Sequence, residues 1–197
     1  MQPAAAKVWT EEDFFAWQEK QEERCELVDG RPLRMMAGAS KIHDRIVVNL
    51  LASLHGQLRG TPCRPFTGDG SVRTEPGRIR RPDVGVDCDP SGRDGYVSEQ
   101  PRLIVEVFSP STRDFDTYDK LREYKRIEGL HRILLVEPNR AEVTIWSSDS
   151  EGRWTKEEVA GLEWKLDMPE LGIVLAMADI YEGIAFPADL RIVGSRL

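Results

Sequence analysis

The run Leu103-Ile104-Val105-Glu106-Val107-Phe108 is apolar at every position but one. A short continuous run of this kind fits a strand buried on both faces. A second run, Arg132-Ile133-Leu134-Leu135-Val136-Glu137, follows a polar stretch that ends at Gly129. That stretch reads as a helix from about Arg113 to Glu128, with Ser111 or Thr112 as its cap and Gly129 as its stop. Strand, helix, strand is a crossover unit. It makes the two strands parallel neighbours and places ligands near their carboxyl ends. Glu106 sits at such an end, where a buried carboxylate costs several kcal/mol unless something pairs with it. A metal ion or a buried Lys would do so; a strand-end Glu facing solvent, or capped by an Arg, is the plainer alternative.

Other local signals surround this unit. Thr10-Glu11-Glu12-Asp13 predicts a capped helix carrying Phe14, Phe15 and Trp17. Asp29-Gly30 between Cys25–Val28 and Arg31–Met36 predicts a hairpin. Ser40 caps a second helix, in which Ile42, Ile46, Leu50, Leu54 and Leu58 recur every four residues on one face. Residues 61–90 read as short strands and turns, with Pro82-Asp83-Val84-Gly85-Val86 opening a strand. Residues 141–147 and 154–159 read as further strands, and Leu175–Tyr181 as a terminal helix. Most strands then join as hairpins, which makes the sheet mixed.

The chain has 197 residues, 40% of them apolar and 31% charged, as expected of one folded domain. A net charge of -7 argues against a wholly basic surface. It leaves room for a local patch such as Arg59 to Arg81, which is otherwise a solvated Arg-rich hairpin. Cys25, Cys63 and Cys88 form no close pair motif and cannot all pair, which fits a reducing compartment; three scattered histidines give no zinc cluster. No run is long enough to span a membrane. The expected location is cytoplasmic.

Asp83, Glu106 and Lys120 fall at one end of the expected sheet. Tyr124 shares a helix face with Lys120, and Glu26 in the first hairpin is a further polar candidate. Two carboxylates from adjacent strands, a backbone carbonyl and waters suit Mg²⁺ or Mn²⁺. Such an ion acidifies water and neutralises charge on a phosphate, and a nearby Lys orients the water or stabilises the transition state. Each residue also has a plain role: Asp83 in a turn, Lys120 paired with Asp116, Glu26 with Arg24 or Arg34, His43 at a helix surface.

In motif order, the sequence resembles the PD-(D/E)xK nuclease superfamily, and specifically a bacterial family of uncharacterised proteins described as restriction endonucleases. The resemblance rests on Cys25–Gly30, His43, Pro82–Val86, Leu103–Thr112, Asp116, Asp119-Lys120, Tyr124, Gly129 and Ile133–Pro138, within residues 10–182 of a single 1–197 domain. It implies an α/β restriction-endonuclease-like fold, a central mixed sheet flanked by helices. It implies Asp83, Glu106 and the Val107 carbonyl as ligands of Mg²⁺ or Mn²⁺. Where the superfamily places a Lys two residues after the Glu, this chain has Phe108, which makes Lys120 the candidate. Glu26 is a fourth catalytic candidate, His43 and Tyr124 support the site, and Arg78, Arg80 and Arg81 are candidate substrate contacts. The function implied is metal-dependent hydrolysis of DNA phosphodiesters, by a homodimer since two strands need two sites. The alternatives are a catalytically silent nucleic-acid- or protein-binding module, and a structural protein with a buried Glu106–Lys120 ion pair.

Overall fold

The computed structural model describes residues 8–35, 40–89, 95–109 and 116–186. The capping box forms as the sequence predicts: helix α1 (Glu11–Gln18) starts at Thr10, whose Oγ1 accepts from the Asp13 N–H at 3.1 Å. The hairpin β1 (Cys25–Val28) and β2 (Arg31–Arg34) turns at Asp29 and Gly30, with φ values of +50° and +66°. Both are left-handed, as a two-residue hairpin turn that follows strand twist requires. At Gly30 a side chain is also excluded by packing, since a Cβ would lie 2.4 Å from Val8 Cγ1.

Helix α2 (Lys41–Gln57) is capped by Ser40 and buries Ile46, Leu50 and Leu54; Ile42, in the first turn, stays exposed. Strands β3 (Arg64–Thr67), β4 (Ser71–Glu75), β5 (Arg78–Arg80), β6 (Val84–Asp87), β7 (Val97–Ser98) and β8 (Pro101–Val107) follow. Then come α3 (Asp116–Tyr124), β9 (Arg132–Val136), β10 (Glu142–Ser148), β11 (Trp154–Ala160), β12 (Lys165–Met168), β13 (Ile173–Ala176) and α4 (Met177–Ile180).

The strands form more than the one sheet expected. A six-stranded sheet has the order β11-β10-β9-β8-β6-β3, and a five-stranded sheet the order β2-β1-β5-β4-β7. In the larger sheet β8 and β9 are parallel, and the other neighbours are antiparallel, so the sheet is mixed and the crossover through α3 is present. The helix is shorter than expected, closing at Tyr124 before a turn segment that reaches Gly129 (φ +74°). The proposed caps Ser111 and Thr112 lie outside the described residues. At the far end, Leu175 belongs to the β12–β13 hairpin and only Met177–Ile180 is helical. Alternating burial explains the difference: Ile173, Leu175 and Met177 are inside and Val174 is 42% exposed, the period of a strand.

Strand period also sorts the core. Leu103, Val105 and Val107 of β8 pack with Ile46, Leu50 and Leu54 of α2. Ile104 packs on the opposite face with Leu121 and Tyr124 of α3, and with Ile133 and Leu135 of β9. Glu106 is two residues beyond Ile104 and therefore shares the α3 face. The cysteines differ from the expectation of a reducing compartment, for Cys63 and Cys88, one step past the Arg64↔Asp87 pair, are joined by a disulfide. Cys25 is free and buried.

Candidate active site

The Val84↔Val105 pair of β6 and β8 puts Asp83 and Glu106 opposite each other one step further on. Asp83 Oδ2 accepts the Val107 backbone N–H at 2.8 Å and lies 3.2 Å from His43 Nε2. That hydrogen bond to Asp83 raises the pKa of the His43 imidazolium above its ordinary value, against the opposing effect of burial. His43 Nδ1 is buried without a partner among the described residues.

Glu106 Oε1 accepts the Tyr124 hydroxyl at 2.6 Å and lies 3.6 Å from Lys120 Nζ. The spacing of Lys120 and Tyr124 along α3 brings both onto this one oxygen. Burial nevertheless pushes the Glu106 carboxyl up to about 7; Lys120 opposes the shift and the Asp83 charge adds to it. The same burial, with Glu106 beside it, holds the Tyr124 hydroxyl well above its usual range, so it is a donor and not a phenolate.

Glu26 comes from the other sheet. Its Oε1 accepts the Arg81 backbone N–H at 3.0 Å and meets Lys120 Nζ at 3.1 Å. Its Oε2 takes Arg80 Nη1 at 2.8 Å. Both oxygens are therefore engaged by protein groups, and Glu26 holds Lys120 in place from inside the fold. Phe108, where the superfamily pattern expects a Lys, packs among the apolar residues around Tyr124. The ammonium nearest Glu106 comes instead from α3.

The arginines are not where a substrate contact would need them. Arg80 and Arg81 are 3% and 7% exposed. Arg80 is committed to Glu26 and to Glu123, and Arg81 donates to the Cys25 and Asp69 carbonyls. Arg78 is half-buried and tied to Glu123, Asp29 and Glu75. Of the basic segment expected from the sequence, Arg59, Arg64 and Arg73 are exposed, while Arg78 and Arg80 are drawn inward by the buried carboxylates of Glu26 and Glu123 and Arg81 by backbone carbonyls. Glu123 is the residue that sequence reasoning missed. Only its spacing of three from Lys120 hinted at a shared face.

Among the described residues no three His, Cys, Asp or Glu side chains are gathered around one point. The donor set offered to a cation is the Asp83–Glu106 pair, which needs a backbone carbonyl and waters to complete it. These hard oxygen donors fit Mg²⁺ or Mn²⁺. The mutual repulsion of the two carboxylates is what a cation between them would relieve.

A family model for the Uma2 group, described as "putative restriction endonuclease", matches residues 11–178. The chain belongs to this family. An uncharacterized protein of Synechocystis is 32% identical over 177 residues, covering 89% of this chain and 92% of that one. The crystal structure of a putative nuclease from Anabaena variabilis superposes with a TM-score of 0.65 at 16% identity, covering 87% of this chain and 96% of that chain. At that identity the likeness concerns the fold, which is α/β and restriction-endonuclease-like with mixed sheets and few helices. No helix among the described residues is long and apolar enough to cross a membrane.

Proposed function

We propose that this Uma2 chain hydrolyses phosphodiester bonds of DNA with Mg²⁺ or Mn²⁺. Asp83, Glu106 and the Val107 carbonyl would hold the cation. The observation that carries the proposal is the convergence of Asp83, Glu106 and Lys120 from two adjacent strands and a helix, with Lys120 Nζ 3.6 Å from Glu106. A bound divalent cation would supply neutralisation of phosphate charge and acidification of water. Lys120 adds a positive charge held from behind by Glu26, poised to steady the attacking water or the phosphate oxygens. Tyr124 fixes the Glu106 carboxylate, and His43 with the Val107 N–H fixes Asp83. The family description and the shared fold support a nuclease. The expected homodimer has no support in a single chain, and hydrolysis of one strand needs no second copy.

Incubation of the full chain with supercoiled plasmid and Mn²⁺ tests the proposal. Nicking or linearisation is expected, lost with chelator and reduced about a hundredfold or more in Lys120→Ala. Binding of DNA with no cleavage in Mg²⁺ or Mn²⁺ would contradict it and leave a silent binding module. An Asp83→Asn variant that cut as fast as wild type would remove Asp83 from the site.

A further inference from the structure

A Lys two residues after Glu106 would be held by the strand that carries the carboxylate. Lys120 stands instead on a nine-residue helix, so its position depends on how α3 is seated against the sheets. Leu121 and Tyr124 seat the apolar face of α3 on the larger sheet, and its contact with the other sheet is built from charge. Glu123, one turn beyond Lys120, is 3% exposed. It takes Arg80 in a fork, Nε to Oε2 and Nη2 to Oε1, both at 2.8 Å. Thr74 Oγ1 on β4 adds a bond at 3.0 Å, and Arg78 Nη1 on β5 another at 2.6 Å. The third arm of Arg80, Nη1, reaches Glu26 Oε2 on β1, and Glu26 Oε1 in turn meets Lys120. The ring of groups therefore leaves α3 at Glu123, crosses β5 and β1, and returns to α3 at Lys120.

We infer that Arg80 and Glu123 are positioning residues for Lys120. They fix α3 and the Glu26 carboxylate so that the ammonium faces Glu106. Arg80 also shares the Glu26 charge, so Lys120 is not drawn wholly onto that carboxylate and away from Glu106. A planar guanidinium suits this task because it bonds two carboxylates at once; an ammonium at the same place is a single point charge. The inference rests on the nuclease reading for its kinetic consequence and not for its structural one.

Two double-mutant cycles on the full chain test it, each pairing Arg80→Lys with Lys120→Met; Glu123→Gln replaces Arg80→Lys should that variant not fold. In the first, melting temperatures are read without metal or substrate. The shift of the double variant is expected to differ from the sum of the single shifts, because both partners act on Glu26. In the second, plasmid cleavage with Mn²⁺ is followed. Arg80→Lys is expected to lower kcat about tenfold or more with KM for DNA and calorimetric Mn²⁺ affinity unchanged, and to add nothing once Lys120 is gone. Additive shifts in the first cycle, or a full further loss of kcat in the Lys120→Met background, would overturn the inference. Should wild type cleave nothing, the nuclease reading fails while the stability cycle still decides the positioning role.

Discussion

Glu106 on β8 faces α3 and Glu123 belongs to it, and the two carboxyls are shifted in opposite directions. Glu123 is surrounded by the Arg80 fork, Arg78 and Thr74, and these donors hold its carboxyl below the usual value despite the cost of burial. Glu106 has a tyrosine hydroxyl and a shared ammonium on one side and the Asp83 carboxylate on the other, and its carboxyl rises to about 7. Burial raises both; at Glu123 the arginines and Thr74 outweigh it, and at Glu106 Lys120 and Tyr124 do not, with Asp83 adding to the rise. A carboxylate saturated with cations joins elements of the fold. A carboxylate left short of positive charge beside a second one is where an added cation gains most.

The largest effect expected from this contrast is at Glu123. Its replacement by Ala takes from Arg80 the carboxylate that its Nε and Nη2 share in the interior, with Glu26 still on Nη1, and loss of about 3 kcal/mol of stability is expected in urea unfolding. Glu106→Gln keeps an acceptor for Tyr124 and removes the surplus charge. At pH 8 without metal it is expected to be more stable than wild type by about 1 kcal/mol or more, and to gain nothing from Mn²⁺. If both substitutions destabilised alike, the contrast would collapse and Glu106 would be one half of a structural ion pair with Lys120.

A smaller effect is in the pH dependence. The raised carboxyl of Glu106 means the folded chain holds that proton more tightly than the unfolded chain. Its contribution is complete below the ordinary value of 4.5 and is lost as pH rises through about 7. For Glu123 the sign is reversed: its contribution is present above the ordinary carboxylate range and is lost as acid drives pH through its lowered value. Urea midpoints taken between these limits should therefore fall more steeply with rising pH in wild type than in Glu106→Gln. Equal slopes would remove the unusual proton from Glu106.

Much of this was legible in the sequence where the cause is local. The capping box at Thr10, the Asp29-Gly30 turn and the β8–α3–β9 crossover follow from spacing alone. The places of Glu106 and Lys120 on that crossover, with Asp83 opening the strand before it, brought them to one end of the sheet. The remainder depends on partners far apart in the chain. The role of Arg80 is set by Glu26 and Glu123, 54 and 43 residues away, so its segment read as a solvated basic patch. The β12–β13 hairpin was hidden because Leu175, Met177 and Ile180 suit a helix as well as a strand, and only pairing with Lys165–Met168 decides the first of them. The second sheet was missed for the same reason, since β1 and β5 meet through the single pair Leu27↔Ile79.

Calorimetric titration of Mn²⁺ into the metal-free chain at pH 8 tests the central claim most directly, with Asp83→Asn and Glu106→Gln alongside. Saturable binding in wild type that disappears in both variants, while each remains folded, is the expected result. No binding to wild type, or binding that survives both substitutions, would contradict a metal centre at Asp83 and Glu106.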